Sequence, residues 1–251
     1  MKKIGIVIIA TNAYFVLGVK FIKRFAHFHE GDYDVQFFFF SDTDPKPYLP
    51  DHINVNYTHE EHTDWVFGTD SKFKNILSLE QEDVDYLYYF DADTNVNKPF
   101  TCEWMIGELV GGEHFANRGW MKDKKAFDRN PNSQAYVPFD TTLPQMYYYG
   151  AFFGGEKYEV IKFCNILRQW QLQDQKIGYE PSVNDESYIN KYFHYYPPTT
   201  VTQEKFAFHV SDKSGIGDTR DMNLPIDHIK QDLLKYKNSL INISEGKVYE
   251  V

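Results

Sequence analysis

An unbroken apolar run that stops at two acids one residue apart constrains this chain more than any other feature. In YLYYFDADTNVNKPF, residues 86–100, five apolar and aromatic residues lead straight into Asp91-Ala92-Asp93. A run with no polar alternation reads as a strand buried on both faces, as in a parallel sheet. Other strands precede it, IGIVIIA (4–10), DVQFFFFSD (34–42) and HINVNYT (52–58), with DYLYYFDAD (85–93) as the fourth. Between them, YFVLGVKFIKRFAHFH (14–29) has apolar residues at helical spacing and a cationic outer face. Residues 71–81 predict a second helix, opened by Asp70 or Ser71 as its cap. Strand–helix–strand order of this kind predicts an α/β domain with a mostly parallel sheet.

The second half is less regular. An aromatic strand in MYYYGAFFGG leads through Gly154-Gly155 into a helix over 156–173, and NDESYINKYF (184–193) reads as a short helix capped by Asn184 or Asp185. SDKSGIGDTRDMN, after Val210, is rich in Gly, Ser and charge and reads as a mobile lid loop. No internal repeat or clear linker appears, so the 251 residues are expected to form one domain.

Charge narrows the partners. With 26 basic and 36 acidic residues the net charge is -10. Nucleic acid and anionic membrane both need an electropositive face, so neither is expected. No run approaches the ~20 apolar residues of a membrane span. The opening MKKIGIVIIA has two lysines before an apolar run, but it is short, β-branched and lacks a small-residue cleavage site. It reads as a first strand rather than a leader. Cys102 and Cys164 lack CxxC spacing and read as free thiols of a reducing compartment, with one structural disulfide as the lesser alternative.

In open α/β sheets, ligands bind beyond the carboxyl ends of the strands, where Asp91 and Asp93 fall. Side chains at i and i+2 of an extended segment point the same way, so two carboxylates there can hold a hard divalent cation, and the cation can hold phosphate oxygens. The plainer reading is a turn cap. A calcium loop fails, because Val96 stands where glycine is needed and Cys102 where glutamate is needed.

Three further blocks, NSQAYVP (132–138), GAFFGG (150–155) and DESYINKY (185–192), in this order and spacing, resemble glycosyltransferase family 6, the family of the histo-blood-group transferases and α-1,3-galactosyltransferase. The resemblance spans most of residues 4–210. It implies a GT-A fold, with a Rossmann-like nucleotide-sugar-binding half fused to an acceptor-binding half. On that pattern residues 1–97 form the nucleotide half, 98–210 the acceptor and catalytic half, and 211–251 a mobile C-terminal segment.

The same resemblance implies retaining transfer of galactose or N-acetylgalactosamine from a UDP-sugar to a galactoside glycan acceptor in α-1,3 linkage. Mn²⁺ would be held by Asp91 and Asp93. Glu186 would be the catalytic carboxylate, either the nucleophile of a double displacement or the stabiliser of an oxocarbenium-like centre. Asp185 would bind the donor sugar. Tyr149 and Ala151 would select it, with alanine leaning toward UDP-galactose. Ile9, Ala10 and Tyr14 would cradle uracil, Lys74 would reach the donor, and Trp65 and His114 would meet the acceptor. Lys213 or Arg220 would close over the diphosphate. The chain departs from the pattern at Ala126, Val183 and Asn184, which bear on the acceptor. A start directly at the first strand implies a soluble, cytoplasmic enzyme of bacterial or phage type. Three competing readings predict different ligands: an Asp-x-Asp transferase using another nucleotide sugar, a non-catalytic sugar-binding relative, and a calcium-stabilised domain indifferent to UDP.

Overall fold

The computed structural model describes residues 1–12, 14–62, 65–94, 96, 99–114, 127–138, 146–202, 239–242 and 247–250. In chain order these form β1 (Lys2–Ile9), α1 (Tyr14–Phe28), β2 (Tyr33–Ser41), β3 (Val55–His59), α2 (Trp65–Leu77), β4 (Tyr86–Phe90), β5 (Leu109–Glu113), β6 (Tyr148–Glu156), α3 (Lys157–Lys176), α4 (Asn184–Tyr195), β7 (Thr200–Thr202), β8 (Ser239–Asn242) and β9 (Lys247–Glu250). The mixed α/β architecture is that of a GT-A-like fold. The chain divides into two compact units.

The first unit holds Met1–His62, Phe90–Glu103 and the antiparallel pair β8–β9. Its strands run in the order β3-β2-β1, both pairings parallel, with Ile4 opposite Val35 and Ile9 opposite Phe40. Parallel strands covered on both faces explain the lack of alternation in their sequences. Helix α1 lays Phe15, Val19, Phe21, Ile22 and Phe25 against this core. The Phe25 ring packs on Phe37, Phe90 and Phe100, with centroids 5.6, 6.1 and 4.9 Å away. Phe90 and Phe100 bracket the segment that carries Asp91 and Asp93, so one ring of α1 pins both its ends. Arg24 holds its middle, donating from Nε to the Val96 carbonyl at 2.6 Å.

The second unit holds Thr63–Tyr89 and Trp104–Glu204. Its strand order is β4-β6-β5-β7, with β5 antiparallel to β6 and parallel to β7. The expectation of a mostly parallel sheet is met in the first unit; here an antiparallel pair intervenes. Tyr88 stacks on Phe152 and Tyr89 on Phe153, at 6.1 and 5.5 Å. Gly154 lies so close to Tyr88 and to the Leu87 carbonyl that a β-carbon has no room there.

Helix α2 corrects one boundary. It starts at Trp65 and ends at Leu77, so Asp70 and Ser71 lie inside it rather than at its start. A polar run such as Thr69-Asp70-Ser71 costs only tenths of a kcal/mol per residue within a helix. Burial of Phe73 and Ile76 outweighs that. The capping expectation for α4 also fails: Val183 occupies the cap position, and no side chain caps the helix. Instead the Val183 N–H donates to Ser187 Oγ at 3.1 Å. Cys102 and Cys164 are buried free thiols, and burial pushes Cys102 up to about 12. Among the described residues no helix is long and apolar enough to cross a membrane.

Candidate active site

The acids singled out in the sequence fall into two groups, one in each unit. The group in the second unit is built on the backbone of β6. The Gly150 N–H donates to Glu186 Oε2 at 2.6 Å, and the Gly150 carbonyl accepts from Lys72 Nζ at 3.0 Å. The same ammonium donates to Asp185 Oδ2 at 2.5 Å and sits 4.4 Å over the Tyr89 ring. The backbone of one residue therefore serves both acids, Glu186 directly and Asp185 through Lys72. Glycine is required at that point. A β-carbon on residue 150 would stand 2.9 Å from Glu186 Cβ and 3.1 Å from its Oε2.

These contacts answer why Asp185 and Glu186 open α4. Acids in a first helical turn usually serve the cap or the dipole. Here both carboxylates turn to tertiary partners, and no cap hydrogen bond is made. Asp185 and Lys72 are both buried, 6% and 4% exposed. A charge at that depth is tolerated because it is paired.

Glu186 differs. Desolvation pushes its pKa up from the usual 4.5 to about 7. The Gly150 N–H and the Tyr147 hydroxyl oppose that rise, Asp185 adds to it, and Lys72 weakly opposes it. Burial and the same acids push the Tyr147 phenol upward, so it stays protonated at ordinary pH. Two adjacent carboxyls in unlike surroundings, one charge-paired and one poised near neutrality, can divide the work of orienting a substrate and answering developing charge.

Around this pair the structure gathers other expected residues. His114 is buried; its backbone N–H donates to the Tyr147 carbonyl at 2.9 Å, and its ring lies 4.3 Å from Tyr149 and 5.5 Å from Tyr147. Tyr149 and Ala151, two residues apart on β6, share a face and keep partial exposure. Lys74 is exposed on α2, while Lys72 on the same helix makes the contact with Asp185. Among the described residues, Lys72 is a basic side chain in contact with this pair of acids. Trp65 opens α2, and its side chain is outside the described residues. Lys213, Arg220 and Ala126 also lie outside them.

The group in the first unit is the pair of acids after β4. Asp91 and Asp93 follow β4 directly, both partly exposed, while Ala92 between them is buried. The Thr94 N–H donates to the Asp91 carbonyl at 2.9 Å and turns the chain there. Among the described residues no third His, Cys, Asp or Glu joins them as a metal cluster. Two hard oxygen donors with partial solvent access fit a divalent cation that completes its shell with water and phosphate oxygens.

At the end of β1, Ile9 and Tyr14 are partly exposed, whereas Ala10 is fully buried. The Ala10 N–H donates to the Phe40 carbonyl, and its carbonyl accepts from the Ser41 hydroxyl. Beside them Asn12, at φ 51°, donates its N–H to Asp42 Oδ2 at 3.0 Å. Thr11 Oγ1 meets His62 Nδ1 at 2.9 Å.

Asp42, His62, Lys72, Tyr147 and Gly150 escape sequence reasoning, because each acquires its role from a residue distant in the chain. The Lys72–Asp185 contact joins positions 113 residues apart.

Comparison with known proteins adds an independent line. Residues 69–220 match the model of glycosyltransferase family 6. The chain is 28% identical over 213 residues to a rat histo-blood group ABO system transferase 2, covering 82% of this chain and 63% of that protein. It is 24% identical over 176 residues to the O-antigen biosynthesis glycosyltransferase WbnI of Escherichia coli, covering 68% and 74%. It is 24% identical over 218 residues to a chicken globoside alpha-1,3-N-acetylgalactosaminyltransferase 1, covering 82% and 61%. The chain thus spans about three-fifths of the length of these two animal relatives.

Proposed function

Because the chain belongs to glycosyltransferase family 6, we propose that it is a retaining, UDP-sugar-dependent hexosyltransferase. It moves galactose, or N-acetylgalactosamine, to a galactoside acceptor in α-1,3 linkage. The observation that carries this reading is the seating of the two acids of DESYINKY. Neither caps its helix; one is charge-paired with a buried lysine, and the other is held against a backbone N–H with its pKa near 7.

In this reading Ile9 and Tyr14 lie against the base, and Asp91 and Asp93 would hold the metal. A divalent cation such as Mn²⁺, when bound there, supplies positive charge to the diphosphate as UDP leaves. Asp185, fixed by Lys72, accepts hydrogen bonds from donor hydroxyls and orients the ring. Ala151 and Tyr149 shape the space beside the sugar's second carbon and favour galactose. His114 and Tyr149 offer a polar edge and a flat ring to a glycan acceptor.

The bond from the anomeric carbon to the UDP oxygen breaks, and a bond to the acceptor oxygen forms on the same face. The acceptor proton leaves with the diphosphate. Glu186 in its ionised form answers the positive charge at the anomeric carbon.

The test is direct. Purified protein is given UDP-galactose or UDP-N-acetylgalactosamine with Mn²⁺ and a β-galactoside, and the product is read by NMR. An α-1,3-linked product from UDP-galactose is expected. Absence of both transfer and hydrolysis with either donor refutes the proposal, and an inverted product refutes the retaining mechanism.

A further inference from the structure

Glu186 sits where α4 meets β6, and one side chain of α4 hydrogen-bonds to both elements. Asn190 is fully buried. Its Oδ1 accepts from the Tyr148 N–H at 2.7 Å, and its Nδ2 donates to the Tyr148 carbonyl at 2.9 Å. The side-chain amide thus pairs with Tyr148 as a neighbouring strand would. The β5–β6 ladder is irregular there, with a register shift between Gly111 and Glu113 opposite Tyr148. The second Nδ2 proton goes to the Glu186 carbonyl, one helical turn back, at 2.9 Å.

These bonds close a ring. Asn190 grips Tyr148; two residues along β6, Gly150 donates its N–H to the Glu186 carboxyl; and the Glu186 carbonyl returns to Asn190. The ring has little slack, since a β-carbon at Gly150 would already crowd Glu186. We propose that Asn190 is the positioning residue of this site: it docks α4 on β6 in the one register that places the Glu186 carboxyl on the Gly150 N–H. Hydrophobic packing of α4 alone does not set that register to within a hydrogen bond, because Ile189 and Phe193 make non-directional contacts and the Tyr188 hydroxyl donates to Asp174 of α3 rather than to β6. The directional amide does.

A merely structural asparagine would lower stability and leave the Glu186 carboxyl where it is. The experiment separates the two roles. Protein carrying ¹³C-labelled glutamate is titrated by NMR, with the Glu186 signal assigned from Glu186→Gln. The groups facing that carboxyl are the Tyr147 hydroxyl, Asp185, Lys72 and the Gly150 N–H, and none is altered by the substitutions used. Asn190→Ala moves the Glu186 midpoint by about one pH unit, the size of a lost hydrogen bond to the charged form. Ile189→Val, a packing change on the same helix, leaves it in place. Asn190→Ser, with a smaller polar side chain, behaves as Asn190→Ala and replaces it should the alanine variant fail to fold. A Glu186 midpoint that stays at the wild-type value in the Asn190 variants overturns the proposal.

The turnover arm rests on the transferase reading given above. UDP-galactose turnover falls at least ten-fold in Asn190→Ala, while Mn²⁺-dependent UDP affinity measured by calorimetry stays within two-fold. Unchanged turnover in that variant also overturns the proposal. A moved Glu186 midpoint in a protein whose wild type consumes no UDP-sugar upholds Asn190 as the positioning residue and sinks the transferase reading instead.

Discussion

Glu186→Gln should make this protein more stable above neutral pH while removing the acid proposed for transfer. The folded pKa of Glu186 is raised from the usual 4.5 to about 7, chiefly by desolvation. Between those values the folded chain keeps a proton that the unfolded chain has released, so stability falls as pH rises across that window and levels off above it. At 1.36 kcal/mol per pH unit the full window is worth about 3 kcal/mol. From pH 5 to pH 8 the share is about 2 kcal/mol, because part of the window lies below pH 5. Glutamine has nearly the same shape, can accept from the Gly150 N–H, and carries no charge to desolvate.

The assay is urea unfolding of both proteins at pH 5, 6, 7 and 8. All other titrating groups are common to the two, so they cancel in the difference. The variant should gain about 2 kcal/mol on the wild type between pH 5 and pH 8, with nearly all of the gain below pH 7.5. Parallel stability profiles would show that the Glu186 carboxyl is not desolvated in the folded state, and the reasoning about its seat would fall with them.

Other consequences are simpler to check. Turnover should rise with pH through about 7 and flatten near pH 8, as Glu186 gives up its proton; a rate that falls across this range contradicts a role for its charged form. Gly150→Ala should cut turnover at least ten-fold, since the new methyl lands 2.9 Å from Glu186 Cβ, with calorimetric UDP affinity little changed. Lys72→Met leaves Asp185 as an unpaired buried charge and should cost about 3–5 kcal/mol in urea unfolding, of which Lys72→Met/Asp185→Asn recovers a large part. Asp91→Asn and Asp93→Asn should each weaken Mn²⁺-dependent UDP binding at least ten-fold by calorimetry, and full turnover in EDTA would refute the metal assignment.

Much of the frame was legible in the residues. The apolar runs at 4–10, 34–42 and 85–93 lie within three residues of β1, β2 and β4 at every boundary, because continuous burial leaves a continuous apolar record. Helix α1 matches its periodicity to within a residue. The short strands β5 and β7 left no such record. Leu109–Glu113 contains two glycines and Thr200–Thr202 is three residues long, and both depend on neighbours for their conformation. The start of α2 was misread for a similar reason, since burial on its far face overrode a polar boundary signal.

The sequence by itself determined which residue types stand where chemistry is expected: Asp91 and Asp93 after a buried strand, and Asp185 and Glu186 at the start of a helix. Local pattern suffices there, because periodicity and composition are properties of neighbouring residues. What only the tertiary structure decided is the state of those acids. Lys72 reaches Asp185 across 113 positions, the Gly150 backbone serves both acids, and Asn190 sets the register between α4 and β6. Charge, desolvation and hydrogen bonding depend on what surrounds an atom in space, and those surroundings exist only once the chain has closed around it.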